Sequence, residues 1–424
     1  MPAVRISKEI HAIEAPFDVK MQLPSSKSIA LRQLAISALA RNPTTIYGLD
    51  ESDDVATMVA CLRRLGVFID FRHQECWIDP RRFNMVEPVE LDVNMSGLTL
   101  RVLISIAALR SGTTRFVGHS SLQKRPNSEL LNALKSIGCR VESANGFLPV
   151  LIQGPSPGGH IVLTGGVSSQ YLSSLLIAGC RFEEGVEIEL SGEQISGSYI
   201  EVTLKELDKR GVQVEHIKNG YRVRSSDYLG ESVSIEGDAS AATYFSALAT
   251  LHSSRIAFSN LGAHSCQGDR KFLDLCNDLG AKVAWGTESA SVEGPSELNP
   301  VNHIDMVDMP DAALTMMAVA PYLSEKTTIS GLGSLPFKEC DRIACPAREL
   351  RRAGVTVEES SEHVVIHPTQ PTPASFETYE DHRMAMAFSV LATKTSGCSV
   401  INPDCVRKTY PNYWRDLQAI YQND

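Results

Sequence analysis

Residues 27–40 read KSIALRQLAISALA, a charged and hydroxylated start followed by an alanine-rich apolar run of helical length. The same composition returns five times. LTLRVLISIAAL follows Gly97, YLSSLLIAG follows Ser168-Ser169-Gln170, ASAATYFSALAT follows Asp238, AALTMMAVAPYL follows Asp311, and MAMAFSVLAT follows Asp381-His382-Arg383. The starts at Lys27, Gly97, Ser168, Asp238, Asp311 and Asp381 are 70, 71, 70, 73 and 70 residues apart. Self-similarity at a fixed period means one supersecondary unit used repeatedly, so the repeat sets the architecture before any motif does. A helix start also offers unpaired N–H groups and a partial positive charge, which favour anions.

A second register supports the unit. Further polar starts stand at Ser52-Asp53-Asp54, Lys124-Arg125-Pro126, Ser196-Gly197-Ser198, Asp269-Arg270, Lys338-Glu339 and Arg407-Lys408, each 25 to 31 residues after a first-register start. The first five of these segments end in related phrases: LRRLGVFID, LKSIGCRVE, LDKRGVQVE, CNDLGAKVA and LRRAGVTVE. Gly66, Gly138, Gly211, Gly280 and Gly354 sit where a helix C-terminus needs glycine, and alternating strand residues follow. The sixth copy ends at the helix around Tyr413 to Leu417. The extended segment Ala3–Val19 is the piece of chain available to complete it.

At 424 residues the chain is expected to hold two domains of about 200 residues each. No run of about 18 apolar residues occurs, so no membrane span is expected. The N-terminal MPAVRISKEIHAIEAPF lacks an apolar signal core, which points to the cytoplasm. The ten cysteines form no C-x-x-C pair, and they read as reduced, buried thiols. Net charge is −10, and the basic residues fall singly inside small polar motifs. That pattern suits a pocket for a small anion and argues against a nucleic-acid groove.

The motifs carry matching chemistry. Ser28 and Arg32 are four apart and share a helix face, and arginine offers a planar fork for carboxylate or phosphate. Lys27 precedes them and can reach the same ligand. Ser168, Ser169 and Gln170 place two hydroxyls and an amide at a helix start, more than one N-cap requires. Lys338 and Arg342 are also four apart and can face one anion, with Glu339 between them. Arg101, Arg125, Arg383 and Lys408 add cations. Asp311 is a carboxylate among these cations, so it should stay ionised and can serve as a base.

The strings LPSSKSIALR, RPNSEL, SSQYLSSLL, SYIEVTL, GDASAATYF, PDAALTMMAV, KECDR, EDHRMAMAFS and KTYPNYW, in this order, span Leu23 to Trp414. Together they resemble the 5-enolpyruvylshikimate-3-phosphate synthase (3-phosphoshikimate 1-carboxyvinyltransferase) family. The resemblance implies a two-domain inside-out α/β barrel built from six β-α-β-α-β-β repeats. Residues 1–21 and 238–424 would form one domain and 22–237 the other, with the active site in the cleft between them. It implies transfer of the enolpyruvyl group of phosphoenolpyruvate to the 5-hydroxyl of shikimate-3-phosphate, with no metal and no organic cofactor, in a monomer that binds neither nucleic acid nor membrane.

By matched position, the resemblance implies that Asp311, Glu339 and Lys27 move protons. Lys27, Gly97, Arg125, Gln170, Arg342, Arg383 and Lys408 would bind phosphoenolpyruvate. Lys27, Ser28, Arg32, Ser168, Ser169, Gln170, Ser196, Asp311, Ser334 and Lys338 would bind shikimate-3-phosphate. The chain departs from the family pattern at Ser25, Met95, Leu98, Val102 and Ser334. Those at Leu98 and Val102 imply a shifted Gly97 helix and weaker inhibition by glyphosate. A related transferase acting on a modified acceptor is the alternative reading.

Overall fold

The computed structural model describes residues 6–164, 168–192 and 197–422. The chain forms two compact units, the residues up to Pro24 with Glu236–Asp424, and Ser25–Ile235. It passes between them at Pro24/Ser25 and Ile235/Glu236, a few residues from the expected 21/22 and 237/238.

Within Ser25–Ile235 the alanine-rich helices are Lys27–Leu39, Gly97–Ala107 and Ser169–Gly179. In the other unit they are Ala239–Leu251, Ala313–Val319 and His382–Ala392. In each unit the three pack against one another. Every residue of Gly97–Ala107, Ala313–Val319 and His382–Ala392 is buried. A helix that is apolar all round belongs inside a fold, and small side chains let such helices approach closely. The helix bodies are mostly apolar, with buried polar side chains such as Arg32, Gln33, Arg101 and Ser173 among them, and further polar residues gather at their N-terminal ends. Ser168, Asp238 and Asp381 act as N-caps, accepting from the N–H groups of Gln170, Ala241 and Arg383. Such caps stabilise a helix by about 1 kcal/mol each. Asp311 lies in the 3-10 turn Pro310–Ala312 that leads into the fifth helix.

The second-register helices are Asp53–Arg64, Ser128–Ser136, Gly197–Asp208, Lys271–Asp278, Ala344–Arg352 and Tyr413–Ile420. The first five end at Gly66, Gly138, Gly211, Gly280 and Gly354, all with φ between 76° and 98°. A side chain there would be strained, which is why glycine recurs. Two expected starts lie elsewhere. Lys338-Glu339 follows the 3-10 turn Leu335–Phe337, and the helix begins only at Ala344. Asp341 accepts from the N–H groups of Ile343 and Ala344 at 3.0 Å each, which places the helix start after it. Arg407-Lys408 closes the 3-10 segment Pro403–Lys408, ahead of Tyr413–Ile420.

Among the described residues the strands form six sheets, three in each unit. Their pairing repeats. Val89–Asp92 runs parallel to Thr114–Val117, which is antiparallel to Phe147–Gln153, itself antiparallel to Arg140–Ala144. The same order holds from Gly159–Thr164 through Val214–Ile217, and from His303–Asp305 through Val357–Glu359. At the two crossing points the lead strands are exchanged. Asp18–Met21 precedes the Lys27 helix in sequence but pairs in parallel with Arg255–Phe258. Val233–Ser234 precedes the Ala239 helix but pairs with Thr44–Tyr47. In the sixth sheet Ser375–Phe376 runs parallel to Cys398–Ile401, and Ser7–Ile10 closes the other side antiparallel, with Ser7 opposite Ile401. Ser7–Ile10, from the N-terminal segment, thus closes this sheet, and the expected start of that segment, Ala3–Arg5, lies outside the described residues. No helix of the described residues is long and apolar enough to cross a membrane.

Candidate active site

In Ser25–Ile235 the helix starts carry the expected cations. Lys27 Nζ lies 3.5 Å from Asp54 Oδ2, in the first turn of Asp53–Arg64. One turn beyond Lys27, buried Arg32 donates through Nη1 to Ser28 O at 2.8 Å and to Ser28 Oγ at 3.3 Å. Its Nε donates to Thr203 Oγ1 at 2.8 Å, and its Nη2 to Ser173 Oγ at 3.2 Å and Tyr199 O at 3.1 Å. The fork therefore ties three helices together and holds the Ser28 hydroxyl at the helix start.

Gly97 has a separate reason to be glycine. A Cβ at this position would stand 2.8 Å from both Arg101 Nη1 and Arg125 Nη1. Two guanidinium groups thus close over the first residue of the Gly97 helix. Arg101 Nη1 donates to Gly97 O at 3.1 Å and its Nη2 to Pro126 O at 3.3 Å. Tyr171 Oη donates to the same Pro126 carbonyl at 2.5 Å. Burial pushes the Tyr171 hydroxyl above its ordinary pKa, while Arg101 and Arg125 pull it down. Next to Tyr171, Gln170 N donates to Ser168 Oγ at 3.3 Å. Ser168, Ser169 and Gln170 are half-buried. Ser196 lies outside the described residues.

In the other unit the expected residues converge on Arg342, which is almost fully buried. Its Nη1 donates to Asp311 Oδ1 at 2.8 Å and its Nη2 to Glu339 Oε2 at 2.9 Å. Its Nε and Nη2 donate to the two oxygens of Asp381 at 2.7 and 3.0 Å. Burial alone would lower the Arg342 pKa, but the facing carboxylates of Asp381, Glu339 and Asp311 outweigh it and hold the pKa above its ordinary value. Lys338 Nζ approaches Asp311 Oδ1 at 3.5 Å, so Lys338 and Arg342 do face one anion, the Asp311 carboxylate. Arg383 Nη2 donates to Asp311 Oδ2 at 2.8 Å, and Lys408 Nζ lies 3.7 Å from Glu339 Oε1. Ser334 is half-buried just before the 3-10 turn Leu335–Phe337.

Asp311 and Glu339 are thus joined by one guanidinium, and each is also contacted by at least one further cation. Cations keep a carboxylate ionised and able to accept a proton. Several partners were not foreseen. Asp381 anchors Arg342 in addition to capping its helix, and Asp54 pairs with Lys27. Both stand at helix starts that the repeat picks out, but spacing does not show which cation they face. Tyr244, whose hydroxyl accepts from Arg383 Nη1 at 3.3 Å, gave no sequence signal.

The family model of EPSP synthase (3-phosphoshikimate 1-carboxyvinyltransferase) matches residues 12–417. The chain belongs to this family. It is 35% identical over 418 residues to the 3-phosphoshikimate 1-carboxyvinyltransferase of Nostoc sp., covering 96% of this chain and 97% of that one. It is 33% identical over 453 residues to the chloroplastic 3-phosphoshikimate 1-carboxyvinyltransferase of Petunia hybrida, covering 98% and 87%. Solved structures show the same mixed α/β fold. The EPSP synthase from Acinetobacter baumannii matches with a TM-score of 0.80 at 21% identity, covering 97% of each chain. The enolpyruvyl transferase NikO from Streptomyces tendae matches with 0.77 at 15% identity, covering 97% and 96%.

Proposed function

We propose that the chain transfers the enolpyruvyl group of phosphoenolpyruvate to the 5-hydroxyl of shikimate-3-phosphate and releases phosphate. This is the 3-phosphoshikimate 1-carboxyvinyltransferase step of aromatic amino acid biosynthesis. The observation that carries the reading is the Asp311–Arg342–Glu339 arrangement, in a chain matched by the family over nearly its whole length. The reaction needs one group to take a proton from the acceptor hydroxyl and one to protonate the methylene of phosphoenolpyruvate. A tetrahedral ketal phosphate then collapses, and each group reverses its role. Two carboxylates set apart by one guanidinium, with Lys27 as a third participant, meet that need.

The cations divide between the substrates. Arg342, Arg383 and Lys408 on one unit, with Gly97, Arg125, Gln170 and Lys27 on the other, take phosphoenolpyruvate. Lys27, Ser28, Arg32, Ser168, Ser169, Gln170, Ser196, Asp311, Ser334 and Lys338 take shikimate-3-phosphate. Arg32 orients Ser28, and the Ser168 helix end supplies N–H donors to phosphate. In this reading the two units are the halves of an inside-out barrel of six repeats, each half contributing to one site. The repeated sheet order, three sheets to a unit, supports it. The protein works as a cytoplasmic monomer, apart from nucleic acid and membrane, without metal or organic cofactor. Incubation with both substrates, followed by mass spectrometry, tests the reading: carboxyvinyl shikimate-3-phosphate should form in equal amount with phosphate. Unchanged shikimate-3-phosphate after long incubation would reject it.

A further inference from the structure

Asp269 lies in the 3-10 turn Gly268–Arg270, ahead of the helix Lys271–Asp278. Its side chain is buried, at 5% exposure, and no step proposed above uses it. Ser240, in the first turn of the Ala239–Leu251 helix, donates its hydroxyl proton to Asp269 Oδ2. The Ser240 oxygen accepts in turn from Arg383 Nη2 at 3.3 Å. That same nitrogen donates to Asp311 Oδ2 at 2.8 Å, and Arg383 Nη1 donates to Tyr244 Oη at 3.3 Å. A chain of contacts therefore runs from the Asp269 carboxylate through Ser240 and Arg383 to Asp311.

We propose that Asp269 is a positioning residue for enolpyruvyl transfer, fixing the Arg383 fork through Ser240. The inference rests on the function proposed above. A hydroxyl has one proton, and an ionised carboxylate can only accept. While Asp269 is ionised, the Ser240 proton points to it, and the serine lone pairs are left to hold Arg383. A protonated acid or an amide can donate to Ser240 instead, and the direction of the chain is lost.

The charged groups facing Asp269 come from other elements: Asp311, Arg383 and Asp238. Burial, then Asp311, raises the Asp269 pKa to about 6 from an ordinary 3.8, against Arg383 and the Ser240 hydroxyl. A folded-state pKa above the unfolded value means that the folded protein holds the extra proton between about pH 4 and 6. Stability from this group is therefore present at low pH and falls as pH rises through 6. A buried carboxylate kept ionised at neutral pH weakens the fold, as functional groups often do.

Asp269→Asn and Ser240→Ala test the proposal in the full chain. The wild type is assayed first with phosphoenolpyruvate and shikimate-3-phosphate. An inactive wild type would reject the function itself, whereas an active wild type isolates the role of Asp269. At pH 8 both variants should raise KM for phosphoenolpyruvate by about tenfold, the loss of one charge-assisted contact. KM for shikimate-3-phosphate should stay within about twofold of wild type, since its proposed ligands do not include Arg383 and Asp311, which is one of them, keeps Arg342 and Lys338. The Asp269→Asn effect, taken as a ratio to wild type, should shrink toward one at pH 5, where wild-type Asp269 is itself protonated. Asp269→Asn should also melt no lower than wild type at pH 8, because it removes a buried charge, so misfolding would not confuse the result. Wild-type KM values in either variant, equal rises for both substrates, or a ratio independent of pH would overturn the proposal.

Discussion

Replacing Arg342 with glutamine removes the cation on which three carboxylates converge. Its four contacts, at 2.7, 2.8, 2.9 and 3.0 Å, go to Asp381 twice and to Asp311 and Glu339 once each. The three losses are unequal. Asp311 keeps Arg383 and Lys338, and Glu339 keeps Lys408. Asp381 is 0% exposed and keeps only weaker partners, among them the Arg383 N–H and the Cys340 thiol. Most of the penalty therefore falls on Asp381. Removing one partner of a buried pair costs about 3–5 kcal/mol. For a unit of this size that lowers Tm by roughly 6–20 °C. Adding Asp381→Asn should restore part of the stability, because the two residues act as one unit. Differential scanning calorimetry of the single and double variants measures each quantity. A loss under about 1 kcal/mol in Arg342→Gln, or no recovery on adding Asp381→Asn, would refute the reasoning.

Gly97→Ala should leave Tm nearly unchanged, because the atoms its Cβ meets are the movable ends of Arg101 and Arg125, yet it should raise KM for phosphoenolpyruvate. A Tm loss comparable to that of Arg342→Gln would contradict this. Asp311→Asn and Glu339→Gln should each lower kcat by roughly 10²–10⁴, as for general acid–base groups, and rates within a few-fold of wild type would remove them from the chemistry. Leu98 and Val102 are buried in the Gly97 helix, and the glyphosate inhibition constant should exceed that of sensitive relatives carrying the usual residues there.

The sequence was most legible where physics forces a local signal. Helices buried on nearly all sides have mostly apolar bodies, so the polar residues Lys27, Ser168, Asp238 and Asp381 mark their starts plainly. Gly66, Gly138, Gly211, Gly280 and Gly354 mark helix ends because their backbone needs positive φ. Strand exchange between Asp18–Met21 and Val233–Ser234 was not legible, since pairing partners hundreds of residues apart leave no trace in either strand. The start of the Ala344 helix was misplaced because Asp341 belongs to a dense charged motif, and nothing local shows that its oxygen caps Ile343 and Ala344. The set of cations was legible in KECDR and DHR. Their internal partners were not, because spacing does not show whether a guanidinium faces a ligand or a neighbouring carboxylate.

The most direct test of the central claim is the initial rate of phosphate release from phosphoenolpyruvate with different acceptors. The account predicts rapid release with shikimate-3-phosphate, little with a UDP-amino sugar, and none without an acceptor. Release that does not depend on shikimate-3-phosphate, or that is faster with another acceptor, would contradict it.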